Sequence, residues 1–434
     1  MKTLRQRESN LCNGNIPGEK FMQKQGQNID NCSAEQKAIL FALAAELFKM
    51  PLELPETVNW DDMFAESVNQ AVFPLAFHAV RDRIPENIKN RWEPRFLQAI
   101  ASNIRIGAAH SDMHKLLTEN AVPYVMLKGV ASAKYYPKPE FRSMGDVDFL
   151  VSVDDLDRCS AVLERQGMRR SDDGTHPFHR TYSFRTVEYE LHWAAPGIPI
   201  VGGEKVQACF MDVIEKAVCF VGLSGECCVP SDFHHGLILL LHTAGHMTSN
   251  GIGLRHVCDW AVFVNQFSEE AFCTLFEETL KEIGLWEFAK ILTSVGTRFI
   301  GVPEKQWAAG VDEALAEWLL ADIWGSGNFG RKDRGRQGYT AILYENYIDN
   351  IKGRGMTWSV ASLVNRKAKE LYPQLTRYPV LLPLGWAGAV GRYTKMILTG
   401  RKAPIKPGKE YKKAIERREV YRSLKLFEDD AEKQ

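Results

Sequence analysis

The amino-acid sequence predicts an α+β protein: a small mixed-sheet core over residues 121–200, flanked by α-helical N- and C-terminal regions. Three observations predict it. Apolar residues recur at helical spacing from Ser33 to about residue 120, and again from about 205 to 400. Between these stretches the period shortens to two, most clearly in Val187-Glu-Tyr-Glu-Leu-His-Trp193. Short apolar runs bounded by glycine and charged turns complete the central unit.

Residues 1–32 are polar with little periodicity and read as a disordered lead-in. Ser33 with Gln36 forms a capping box, after which Ile39, Leu40, Leu43 and Leu47 recur on one helical face. Helical patterns continue through 60–82 and 90–120, which makes 33–120 a helical N-terminal region. Residues 122–127 read as a buried strand, 130–136 as a short helix and 147–153 as a second strand. An amphipathic helix follows over 154–166, with Leu156, Cys159, Val162 and Leu163 on one side and Gly167 as its stop. Residues 179–184 and 187–193 then read as two strands around a charged turn. The region 201–400 is read as helical, and 401–434 as a charged, helical tail.

Composition limits the function. Apolar content is 45% and charged content 25%, ordinary for a globular protein, and the formal net charge is zero. The whole molecule is therefore not marked as a nucleic-acid binder, although the basic stretch 401–425 leaves local contact open. No run approaches the ~18 apolar residues of a membrane span. Nine cysteines, an odd number without metal-type spacing, suggest a reducing cytoplasm.

The chemistry concentrates in Arg142-Ser-Met-Gly-Asp146-Val-Asp148-Phe-Leu-Val. On a strand Asp146 and Asp148 project the same way, while Val147, Phe149 and Val151 face a core. Two such carboxylates repel unless a cation lies between them, and hard oxygen ligands suit Mg²⁺ (or Mn²⁺). Lys128-Gly129, ending the preceding strand, offers a cation and backbone N–H groups to phosphate oxygens, and Arg142 offers a second cation. A third carboxylate is expected on a neighbouring strand: Glu190, with Glu188 in reserve. His192 shares their face and reads as an orienting group, a substrate contact or a plain surface histidine.

The succession Met126-Leu-Lys128-Gly129, Tyr135-Tyr-Pro137, Arg142-x-x-Gly145-Asp146-x-Asp148 and Glu190-Leu-His192-Trp193 resembles an uncharacterised bacterial nucleotidyltransferase family of the DNA polymerase beta-like superfamily. The resemblance is clearest over 120–265, where Leu241-His242-x-x-x-His246 and Leu254-Arg255-His256-x-x-Asp259 also match, and continues weakly through Asn328-Phe-Gly330. It implies a nucleotidyltransferase fold, a divalent metal and an NTP substrate, with Asp146 and Asp148 as metal ligands. Transfer of an NMP group to an unidentified acceptor, with release of pyrophosphate, is the expected reaction. The chain departs from the wider superfamily in having Lys128-Gly129-Val130 instead of a Gly-Ser step, and a longer gap to Asp146. A nucleotide-binding regulatory module is thus one rival reading.

His242 and His246, four apart on a helix, share a face with each other and are expected to touch acceptor substrate or pack internally. A metal-dependent hydrolase centred on His242, His246 and Asp259 is a second rival, although the HExxH pattern is absent. Gly325-Ser-Gly327-Asn-Phe-Gly330 matches a dinucleotide fingerprint but follows a helical pattern, so it reads as a helix-ending loop.

Overall fold

The computed structural model describes residues 32–172, 178–198, 203–222, 225–333, 336, 356–372, 374, 379–399 and 423–427. The first helix, α1 (Ala34–Phe48), starts at the expected capping box: Ser33 accepts from the Gln36 backbone and Gln36 answers to the Ser33 N–H. Three helices follow, α2 (Trp60–Asn69), α3 (Phe73–Val80) and α4 (Glu86–Glu119). Phe64, Phe73, Phe77, Trp92 and Phe96 form an aromatic cluster between them, with Phe64 and Phe73 4.9 Å apart and Phe77 and Phe96 5.1 Å apart. The lead-in over 1–31 lies outside the described residues.

The central unit holds β1 (Val125–Met126), α5 (Val130–Ala133), β2 (Asp146–Leu150), α6 (Leu156–Arg165), β3 (Arg169–Arg170), β4 (His179–Phe184) and β5 (Val187–His192). The sheet runs β1-β2-β5-β4-β3; β2 and β5 are parallel and every other pair is antiparallel. The sheet is therefore mixed, as expected. Its two faces bury different things. Val147, Phe149, Tyr182, Tyr189 and Leu191 join one core with Leu163 of α6 and Met113 of α4. Val125, Leu127 and Leu150, on the other face, join the core of the helical regions. One long helix, α4, links the two cores: Trp92 and Phe96 lie in the helical one, Ile106 to Leu117 in the sheet's.

After the short α7 (Glu204–Ala208) comes a hairpin, β6 (Val218–Gly222) with β7 (Gly225–Val229), where the sequence pattern had suggested helix. Cys227 and Val229 alternate inward onto the sheet core, so a short period-two signal was present but brief. The helical region then contains α8 (Asp232–Thr248), α9 (Leu254–Val264), α10 (Glu269–Glu282), α11 (Trp286–Ile300) and α12 (Glu313–Ser326). Trp260 is fully buried at its centre and donates to Thr293 Oγ1 at 2.8 Å. Two further helices, α13 (Met356–Leu371) and α14 (Leu382–Leu398), pack against each other.

Most of the charged tail lies outside the described residues, but 423–427 does not behave as a solvated face. Leu424 and Leu426 are buried in the helical core, and the Phe427 N–H donates to the Gly284 carbonyl at 2.8 Å. Among the described residues no helix is long and apolar enough to cross a membrane.

Candidate active site

The site lies on the sheet face that looks toward α8 and α9. Parallel pairing sets Asp146 beside Glu188 and Asp148 beside Glu190. Because strand side chains alternate, Asp146, Asp148 and Glu190 share one face, and a carboxylate oxygen of each lies within 4.8 Å of the others. Glu188 is exposed and does not join this group.

The carboxylates are buried to different depths, and their electrostatics diverge accordingly. Asp148 is 2% exposed, with its Oδ1 3.0 Å from Lys128 Nζ and 3.2 Å from His192 Nε2. Burial raises its pKa, but Lys128 and His192 together hold it well below the carboxylate range. Asp146 behaves oppositely: the Asp148 charge, then burial, push it up to about 6 against the pull of Lys128. Burial works against the Lys128 ammonium, yet Asp148, Asp146 and Glu190 raise its pKa overall. Burial also disfavours charge on His192, while its hydrogen bonds to Asp148 and Glu190 (3.2 Å each) raise its pKa.

Lys128 reaches this position from a turn that only glycine permits. Gly129 has φ +61°, and a Cβ there would sit 2.4 Å from His110 Nε2. The helix it opens, α5, has four residues, so little helix dipole is available to phosphate. Lys128 also meets His242 Nε2 at 3.2 Å, and His242 meets His246 Nε2 at 2.9 Å. Burial, then the Lys128 charge, depress both imidazoles, His246 to about 3 and His242 well below its ordinary value, so both are neutral.

Arg142 is buried and its guanidinium is bonded within the protein. Its Nε and Nη2 bond the two oxygens of Asp259 on α9 at 2.7 and 2.8 Å, and Nη1 donates to the Gly129 carbonyl at 3.3 Å. Tyr136 donates to Asp259 Oδ1 at 2.7 Å. The hydrolase reading loses its centre for the same reason. Asp259 is committed to Arg142 and Tyr136, and among the described residues it forms no ligand group with His242 and His246.

A second cation whose charge reaches Asp146, beside Lys128, is Arg255, the second residue of α9, to which the sequence reading gave no role. It is partly buried, Asp146 acts on its charge, and Nη1 donates to the Ser143 carbonyl at 3.1 Å. Its Nε is buried without a hydrogen-bond partner, and its guanidinium lies 5.2 Å from the Phe329 ring centroid. Phe329 belongs to the loop read from sequence as helix-ending, which it is: α12 stops at Ser326 and Gly327 has φ +65°. Phe329 itself has φ +56° and packs 4.6 Å from His246. A non-glycine residue held there is strained, as is common where a loop serves a site. The signal for Arg255 in the sequence was its place in the Leu254-Arg255-His256-x-x-Asp259 match, where it is the one arginine of the helix.

Three carboxylates against Lys128 and Arg255 still leave more acidic than basic groups on the cleft face, and the oxygen-only donor set fits a hard divalent cation. The mixed sheet thus carries three carboxylates on one face with Lys128 against them. The chain belongs to the family described as uncharacterised nucleotidyltransferase, whose family model matches residues 56–300. That span takes in α2 through α11, so the family unit includes both flanking helical layers as well as the sheet. No curated protein matches the chain.

Proposed function

We propose that the protein is a divalent-cation-dependent nucleotidyltransferase that moves an NMP group from an NTP to an acceptor, with pyrophosphate leaving. The observation that carries this reading is the convergence of Asp146, Asp148 and Glu190 on one sheet face. We assign the three carboxylates to Mg²⁺ or Mn²⁺, which when bound offsets phosphate charge and orients the reacting oxygens. Lys128 keeps Asp148 ionised and, with the Gly129 turn, borders the phosphate position. Arg255 is our candidate for the triphosphate, because its charge reaches Asp146 and its Nε has no partner. Arg142 belongs instead to the frame that joins α9 to the sheet.

The acceptor enters between the sheet face and α8, where the neutral His242 and His246 can accept or donate a hydrogen bond. That chemistry suits a hydroxyl on a small molecule, sugar or protein. With zero net charge a long nucleic acid is disfavoured as acceptor. The test is transfer of label from each of the four α-labelled NTPs, with Mg²⁺, into a cell extract. Wild type should transfer label and release pyrophosphate, and Asp148→Ala should lose at least about a thousandfold of that rate. Nucleotide binding without any pyrophosphate release across the extract would instead indicate a regulatory module.

A further inference from the structure

The helices α13 and α14 pack against each other with their small residues inside. The buried positions described on them are Ala368 on one and Gly385 and Ala389 on the other. A Cβ at Gly388 would stand 2.6 Å from the Tyr372 hydroxyl, so the close approach there requires a glycine. The large apolar side chains lie outside instead. Val380, in the turn before α14, and Leu384, Val390 and Leu398 on it are 50–90% exposed. Folding in water ordinarily buries such groups, so the arrangement is inverted. Of the exposed positions from Pro383 to Leu398 only Trp386, Thr394 and Lys395 carry a polar group. Trp386 donates its indole N–H to Asn365 Oδ1 at 3.1 Å, and Thr394 its hydroxyl to the Val390 carbonyl at 2.9 Å. Both are therefore satisfied without water.

The same stretch holds a charge asymmetry. Residues 356–402 contain eight Lys and Arg against one Glu, in a chain whose formal net charge is zero. Lys367, Lys369 and Lys395 are exposed. An apolar helix face accompanied by cations fits a membrane interface, with the apolar side among acyl chains and the cations at anionic headgroups. Spanning is excluded by length and charge. The 17 residues of α14 reach about 25 Å against a hydrocarbon core of about 30 Å, and they include Arg392 and Lys395. A second copy of the chain, or the basic stretch 401–425, would set like charge against like charge. A nucleic acid would match the charge but leave the aliphatic face in water.

We propose that α13 and α14 dock the protein on the surface of an anionic lipid bilayer, with Leu384, Val390 and Leu398 entering the acyl boundary. The two helices lie beyond residue 300, outside the span that the family model matches. The docking does not depend on nucleotidyl transfer being the reaction.

The experiment is flotation of the full chain with vesicles of phosphatidylcholine alone or with about 30% phosphatidylserine. Binding to the phosphatidylserine vesicles should be at least about tenfold tighter, and should weaken with added salt. Leu384→Asp with Leu398→Asp should lose at least about tenfold, and so should Lys367→Glu with Lys395→Glu. Circular dichroism identifies any variant that fails to fold, and the wild-type comparison of the two vesicles decides the matter in that case. No binding to phosphatidylserine vesicles, equal binding to both, or unchanged binding in the folded aspartate variant overturns the proposal. So does a wild-type dimer in sedimentation that the aspartate variant dissolves, since a second copy then covers the face.

Discussion

Asp146 and Asp148 are two residues apart, on one strand and one face, yet they hold protons at opposite ends of the acid range. The difference comes from neighbours. Lys128 and His192 lie against Asp148, so its charge is compensated, and that charge then repels the one on Asp146. Cation binding must displace the Asp146 proton, whose pKa is pushed up to about 6. Mg²⁺ affinity, measured calorimetrically without nucleotide, should therefore weaken as pH falls, by about tenfold between pH 7 and pH 5. Asp146→Asn should remove this dependence along with most of the affinity, whereas a flat profile in the wild type would show that Asp146 is not the titrating ligand. Both aspartates and Glu190 were legible in the sequence because a period of two assigns a face before any contact is known. Arg255 was not, because a strand or helix pattern says nothing about a partner on another element.

At the scale of elements, α9 is clamped to the sheet unit by one buried pair. Arg142 and Asp259 are about 5% exposed, with side chains bonded bidentately across 117 residues of sequence. The Arg142 charge, working against burial, keeps Asp259 ionised, and Tyr136 adds a third bond. Removing one charge of such a pair leaves the other buried and uncompensated. Asp259→Asn should therefore cost about 3–5 kcal/mol in denaturant unfolding. A loss below about 1 kcal/mol would mean that the guanidinium finds water or another acceptor. Element types were mostly predictable from periodicity, including the two strands at β4 and β5 and the capping box of α1. The β6–β7 hairpin was hidden because each of its strands has five residues, two of them buried in β7 and none in β6.

Across the whole molecule, buried neutral imidazoles make the fold acid-sensitive. Burial depresses His110 to about 4, His235 and His246 to about 3, and His242 and His256 well below their ordinary value. Between about pH 6.5 and pH 4 the unfolded chain takes up protons that these folded imidazoles refuse. Stability is therefore greatest above pH 6.5 and falls as pH drops through that window, on the order of 1 kcal/mol per pH unit for each histidine. Asp146 and His192 run the other way, since their raised pKa values favour the folded state as pH falls, but they are two groups against five. Thermal melts from pH 7 to pH 4.5 should show a falling midpoint, and His235→Phe, an apolar replacement in an apolar setting, should flatten the slope. A midpoint that holds steady to pH 4.5 would contradict the reading.

What the sequence determined by itself was the local alternation: which side chains share a face, where helices begin, and that three carboxylates could meet on neighbouring strands. What only the tertiary structure decided was which charges meet. Arg142 is taken by Asp259, Lys128 by Asp148 and His242, and Arg255 keeps an Nε without a partner. Periodicity follows from the geometry of one backbone segment, whereas charge pairing depends on how distant segments pack and how much water that packing excludes.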